Sequence, residues 1–246
     1  MTVSRPSVQL YTVREALEAD LAGTLERIAG IGFRSVEPYN FTEFEGLGDA
    51  LRGAGLAAPT THAHFVGSDA DSIFAAAQRL GIGTVIEPYV EPARWSSLEG
   101  VRAVAAELNA AAKTGARYGV RIGYHNHSHE LKSLIDGRPA LEVFADELDD
   151  AVMLEVDTYW VVVGGGDPVA LLGKLGDRVR ALHIKDGPGT LEPKDQVAVG
   201  AGSLPIWDII AAAPDALRVI ELDDSRGDRF EAIADSFAFL TTEAAA

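Results

Sequence analysis

Val120-Arg121-Ile122-Gly123-Tyr124-His125-Asn126-His127-Ser128-His129-Glu130 decides how the rest of this chain is read. Val120 to Gly123 is a short run that reads as a strand. Three of the chain's six histidines and a glutamate follow at once. Imidazole and carboxylate groups therefore collect where a strand runs out. That donor mixture suits first-row divalent metals and proton transfer near neutral pH. The competing reading is a polar turn whose histidines simply face water, and the rest of the chain decides between the two.

Working outward, the same unit recurs. Upstream, strand-like runs at residues 8–11, 33–37, 59–64 and 84–87 alternate with helical segments near 14–29, 44–55, 72–80 and 97–118. In the first helical segment Leu17, Leu21, Leu25 and Ile28 recur on one face. Downstream, strands at 151–157, 179–185 and 217–221 alternate with helices at 139–148, 167–175, 206–213 and 230–240. Asp167-Pro168 has the form of an N-cap followed by proline in the first turn. Residues 186–204, rich in glycine and proline, form the longest irregular stretch and read as a lid or binding loop. Ala244-Ala245-Ala246 reads as a frayed tail. Eight strand–helix units point to an α/β fold, a closed (β/α)8 barrel rather than an open doubly wound sheet. No composition break divides the chain, so residues 1–246 are expected to form a single domain. Gly164-Gly165-Gly166 lacks the Gly-x-Gly-x-x-Gly spacing, so a dinucleotide site is unsupported.

Composition narrows the function. The 246 residues are 47% hydrophobic, enough for a sizeable core. A net charge of −16 and a pI near 4.7 set the surface against nucleic acid and anionic membranes as partners. With no cysteine there is neither a disulfide nor a thiolate site, which fits a cytoplasmic protein. Met1 to Ser7 shows no signal-peptide pattern. Trp160-Val161-Val162-Val163 is far shorter than the roughly 20 residues of a membrane span.

In such a barrel the strand ends converge on one mouth, where active sites sit. Every histidine of this chain lies at or just beyond an expected strand end. Asp157 ends the apolar run 152–156, where a carboxylate needs a cation or an ion-pair partner; Glu155 shares its parity. His183 and Lys185 lie on one face of the next strand, and Glu221 ends the last. Asp157, His183 and Glu221 are candidate metal ligands. The alternatives are a buried ion pair for each carboxylate and a hydrogen-bonded core residue for His183. Lys185 is a candidate to polarise a carbonyl, hold an anion or neutralise the acidic mouth. His62, His64, Glu37, Glu87 and His127 are candidate substrate contacts, weighed against plain polar strand ends. Trp160, Tyr11, Tyr39 and Phe65 are candidate walls for a sugar ring, weighed against core packing.

Taken in order, Gly123-Tyr124-His125-Asn126-His127-x-x-Glu130, Glu155-Val156-Asp157-Thr158-Tyr159-Trp160, Gly166-Asp167-Pro168, Leu182-His183-Ile184-Lys185-Asp186, Gly200-Ala201-Gly202 and Glu221-Leu222-Asp223 resemble the xylose isomerase-like TIM barrels, often labelled sugar phosphate isomerase/epimerase. The resemblance implies a divalent metal (Mn, Mg, Co or Zn) held by residues from four strands. Asp157, His183 and Glu221 match three of them, and His125 stands where the sugar epimerases carry a glutamate. That glutamate also serves there as one of two bases, so its replacement sets a two-base epimerase in question. The implied activity is metal-dependent sugar or polyol isomerisation or epimerisation by proton abstraction next to a carbonyl. Glu221 or Glu130 would take the proton and a histidine, His125 among them, would return it. Dehydration of a keto sugar or inosose uses the same chemistry, and a non-catalytic sugar-binding barrel subunit is the reading from another class. Self-association is left open.

Overall fold

A computed structural model describes residues 5–242. The tail expected at Ala244–Ala246 and the stretch Met1–Ser4 lie outside the described residues. The chain contributes β1 (Ser7–Val8), β2 (Thr60–His62), β3 (Thr84–Glu87) and β4 (Arg121–His125). A small antiparallel hairpin follows, β5 (Leu134–Ile135) and β6 (Arg138–Pro139), and then β7 (Val152–Asp157), β8 (Val179–Ile184) and β9 (Leu217–Ile220). The main sheet is parallel, in the order β1-β9-β8-β7-β4-β3-β2.

Residues 33–40 close this curled sheet into the barrel. The regular strand expected at 33–37 is replaced by single bridges on both sides. Glu37 N–H donates to the Val8 carbonyl at 2.8 Å, and Leu10 N–H donates to the Glu37 carbonyl at 2.9 Å. On the other flank His62 N–H donates to the Pro38 carbonyl at 2.8 Å, and Asn40 N–H donates to the His62 carbonyl at 3.0 Å. Pro38 has no N–H to offer, which prevents a full ladder here.

Three other expectations are corrected by local hydrogen bonding. The strand expected at 8–11 ends at Val8, because Leu10–Val13 turns into a 3-10 helix capped by the Gln9 side chain. The single helix expected at 14–29 is two, Arg14–Ala19 and Leu21–Ile31. Asp20, extended at φ −153°, breaks the first, and its carboxylate accepts from Gly23 N–H to start the second. An unexpected helix, Thr158–Val163, starts directly after β7, because the Asp157 side chain accepts from Trp160 N–H and caps it. The apolar run at 160–163 is therefore a short, mostly buried helix. Among the described residues no helix is long and apolar enough to cross a membrane.

The helices cover the outside of the barrel. Leu17, Leu25 and Ile28 are fully buried, each stabilising by about 1.5–3 kcal/mol. One carboxylate organises the long loop after β8. Asp186 accepts four backbone N–H groups, from Gly187 and Leu204 on Oδ1 and from Gly200 and Gly202 on Oδ2, at 2.8–3.1 Å. A Cβ on Gly202 would collide with that carboxylate and with the Gly187 nitrogen.

Asp186→Ala leaves those four donors without their acceptor. We expect a loss of about 2–4 kcal/mol in urea unfolding, with new proteolytic cleavage confined to 187–204.

Candidate active site at the barrel mouth

The parallel strands end at one level, and their inward side chains meet there. His125 ends β4, Glu155 and Asp157 lie on one face of β7, and His183 lies on β8. Lys185 and Glu221 follow the last residues of β8 and β9. All six are buried. Single donor atoms of His125, Asp157, His183 and Glu221 lie within 4.8 Å of one another, the four positions expected to hold a metal. His62, His125, Glu155 and His183 form a second, overlapping set.

The two shared histidines each face two ways. His183 Nδ1 is 2.7 Å from Glu221 Oε2, and its Nε2 is 2.7 Å from Glu37 Oε1. His125 Nε2 is 3.8 Å from Asp157 Oδ2, and its Nδ1 is 3.2 Å from Glu155 Oε2. Glu37 and Glu155 therefore lie on the far side of each ring from Glu221 and Asp157. A carboxylate on the remote nitrogen is the usual support of a metal-binding imidazole, because it fixes ring orientation and tautomer. Gln9 Nε2 donates to Glu37 at 2.8 Å and steadies that support. His62 stacks on His183, ring centroids 5.1 Å apart, and its Nε2 lies 2.6 Å from Glu155.

Lys185 neutralises the outer carboxylates. Its Nζ is 2.9 Å from Asp157 Oδ2, 2.7 Å from Glu221 Oε2 and 2.8 Å from Asp223 Oδ2. The Asp157 contact is electrostatic rather than directed, since Oδ2 has no hydrogen-bond partner. Burial works against the ammonium, but these three carboxylates outweigh it and hold its pKa well above the ordinary value. Lys185 is thus a fixed charge. Burial raises Asp157 to about 6 despite Lys185, while Lys185 and His183 overcome burial to hold Glu221 well below the usual range. Burial and the neighbouring Glu37 push Glu155 up to about 7. His62 and His183 reverse the burial effect on Glu37 and bring it to about 2.

A cavity of about 290 Å3 opens above this floor. His62, His64 and His127, named from the sequence as candidate substrate contacts, and Tyr11 and Tyr39, named as candidate ring walls, line it together with His125 and Glu221. The others stand behind it. Glu87 is buried and accepts from Phe65 N–H and Val66 N–H and from His64 Nδ1, so it aims the exposed His64 ring. Trp160 and Glu37 are buried outside the lining, and Phe65 packs in the core against Phe74. Glu130, expected as a base, is fully buried and accepts from Tyr124 OH at 2.6 Å and from His127 N–H at 2.9 Å. It positions His127 and does not line the cavity. His127 itself is kept neutral there, because burial and Lys185 lower its pKa to about 3.

Sequence reasoning noted Glu155, which shares the parity of Asp157, and Asp223 beyond the last strand, but assigned neither a role in the site. It missed Asn126, whose amide pairs with the Asp157 backbone at 3.0 and 3.3 Å and ties β4 to β7. It also missed Tyr89 on the cavity rim. Nothing local marks Asn126 or Tyr89 as part of the site.

The model of the xylose isomerase-like TIM barrel family matches residues 18–242. A sugar phosphate isomerase/epimerase from Parabacteroides distasonis superposes with a TM-score of 0.82 at 23% identity, over 97% of this chain and 94% of that one. A xylose isomerase-like TIM barrel protein from Mycobacterium smegmatis in complex with magnesium gives a TM-score of 0.70 at 14% identity, over 98% of each chain. At these identities the likeness speaks for the fold alone. An inosose dehydratase from Clostridium beijerinckii is 29% identical over 104 residues, 42% of this chain and 34% of the relative. That match spans only about a third of the relative's length.

Burial raises the Glu130 carboxyl from 4.5 to about 7, against its hydrogen bonds from Tyr124 and the backbone. The folded state therefore holds a proton that the unfolded chain has already lost. Its contribution to stability falls as pH rises from about 4.5 to 7 and is flat above. Glu130→Gln should gain on the wild type over that window, by up to about 3 kcal/mol, in urea midpoints at pH 5 and pH 8.

Proposed function

The chain belongs to the xylose isomerase-like TIM barrel family, and from that premise we propose a divalent-metal-dependent sugar or polyol isomerase or epimerase that works by proton abstraction next to a carbonyl. The observation that carries this reading is the arrangement of His125, Asp157, His183 and Glu221, with a buried carboxylate behind each histidine. The donors fit a metal on two grounds. Two imidazoles and two carboxylates suit Mn, Co, Zn or Mg in varying degree. The buried Asp157 Oδ2 also lacks a hydrogen-bond partner. Bound there, a divalent ion supplies electrophilic pull on a carbonyl oxygen and offsets the charge that develops on it.

The remaining work falls to the chain. Glu221 commits Oε2 to His183 and Lys185 and faces the cavity, so its carboxylate is the group in position to take a proton. His127 is neutral, lines the same cavity, and has a buried Nδ1 without a partner. It is placed to relay the proton back. Lys185 holds Asp157, Glu221 and Asp223 in register and moves no proton. Glu37 and Glu155 orient His183 and His125.

Dehydration is the second reading, supported by the similarity to an inosose dehydratase. It begins with the same proton removal by Glu221, and that proton then passes, along a path His127 lines, to the departing hydroxyl, which leaves as water. On either reading the partner is a small molecule and the setting cytoplasmic.

Elemental analysis of the tag-free protein tests the site. We expect close to one equivalent of Mn, Co, Zn or Mg, lost in Asp157→Asn and in His183→Ala. Glu37→Gln and Glu155→Gln should keep the fold and weaken metal binding by about 10–100-fold. Turnover of keto sugars or inososes should disappear with chelator and return with metal. A protein without metal, and without a thermal shift on adding any divalent ion, sinks the metalloenzyme reading and leaves a sugar-binding barrel.

A further inference from the structure

The cavity floor and rim say what kind of sugar this mouth accepts. Among the described residues, no lysine or arginine lines the cavity, while Glu221 and Asp223 do. Two cations that touch its lining residues are engaged. Lys185 is enclosed by three carboxylates. Arg14 donates from Nη1 to the Tyr11 and Asp223 carbonyls at 3.0 and 2.9 Å, and its guanidinium lies 4.3 Å over the Tyr11 ring. With a metal of the proposed site engaged by the reacting carbonyl, a phosphate elsewhere on the ring would meet the Glu221 and Asp223 carboxylates and no lysine or arginine among the lining residues. Like charges in a partly desolvated cleft are a specific means of rejection.

The rim is aromatic. Tyr11 and Tyr89 are two of the four large apolar side chains that stay exposed among the described residues, and both line the cavity. Tyr89 stands edge-on to His127 and His129, at 5.4 and 5.5 Å between centroids. Tyr11 stands edge-on to Tyr39 at 5.3 Å. These rings present apolar surface beside hydrogen-bonding groups. Tyr39 OH and His127 Nδ1 are buried polar atoms without partners, and both residues line the cavity. Hydroxyl groups satisfy such atoms because each can donate and accept. A volume of about 290 Å3 lies at the low end for ligand pockets, room for one ring and little more.

We propose that the mouth selects a single uncharged polyhydroxylated ring, a pyranose or cyclitol, and rejects its phosphate ester. This rests on the active-site reading above and adds the substrate class. It separates this chain from the sugar phosphate activity named for a protein of the same fold.

The test is calorimetric titration of the purified full chain with matched pairs, myo-inositol against its 1-phosphate and D-glucose against its 6-phosphate. At least one neutral member should bind, and its phosphate ester should bind at least tenfold more weakly. That gap should narrow as salt is raised, because screening weakens the repulsion. Tyr89→Ala should weaken the neutral ligand about tenfold without moving the thermal midpoint. Leu134→Ser, on an exposed side chain outside the cavity, should change nothing. A phosphate ester that binds as well as or better than its neutral partner overturns the proposal. So does neutral binding indifferent to Tyr89, or no binding by any of the four compounds. Metal content and turnover are read separately. Selectivity without metal or turnover condemns the enolisation reading and spares this one; phosphate preference in an active metalloenzyme does the reverse.

Discussion

Carboxylates taken out of water govern this molecule. Glu37, Glu155, Asp157 and Glu221 are all at most 4% exposed, at the C-terminal end of a single barrel. An isolated carboxylate in such a place is strongly disfavoured and survives only with partners. The partners come from strands far apart in sequence. Lys185 bridges β7 and the end of β9, and His183 bridges the end of β9 and the 33–40 segment. His62 and His125 close the set around Glu155. Removing any one partner leaves a neighbour exposed to uncompensated charge, so the floor of the mouth is a mutually dependent unit.

Around that floor, other carboxylates hold backbone rather than cations. Asp186 gathers the glycine-rich loop, Glu87 gathers the turn after β2, and Glu130 gathers the turn that carries His127. Each accepts main-chain N–H groups that a loop cannot pair for itself. The result is a rim of defined shape on a charged floor. Two of the histidines that line the cavity, His64 and His127, owe their orientation to acids outside its lining.

The split between floor and rim matches the functional reading. Charge is concentrated where a metal and a developing oxyanion would be, and it is already paired against adventitious anions. The rim offers rings and unpartnered hydrogen-bonding atoms. An enzyme that polarises a carbonyl of a neutral ring requires that division, with strong fields at the reacting atoms and modest, hydroxyl-matched contacts elsewhere.

The strand–helix rhythm, the barrel, and the meeting of Asp157, His183, Glu221 and His125 at its mouth were legible from the chain alone. Periodicity marks the strands, and a barrel sends their ends to one place. Helix breaks and caps were less legible. Whether Asp20 interrupts a helix, or Asp157 starts one, depends on which backbone N–H its side chain meets. The roles of Glu37, Glu87 and Glu130 could not be read at all, because a glutamate at a strand end looks the same whether it faces substrate or a buried imidazole. Only the closed barrel set His183 between Glu37 and Glu221, 146 and 38 residues away. Sequence determined which groups reach the mouth. Tertiary structure decided which of them face the ligand, because burial and pairing are properties of neighbours that the chain brings together only on folding.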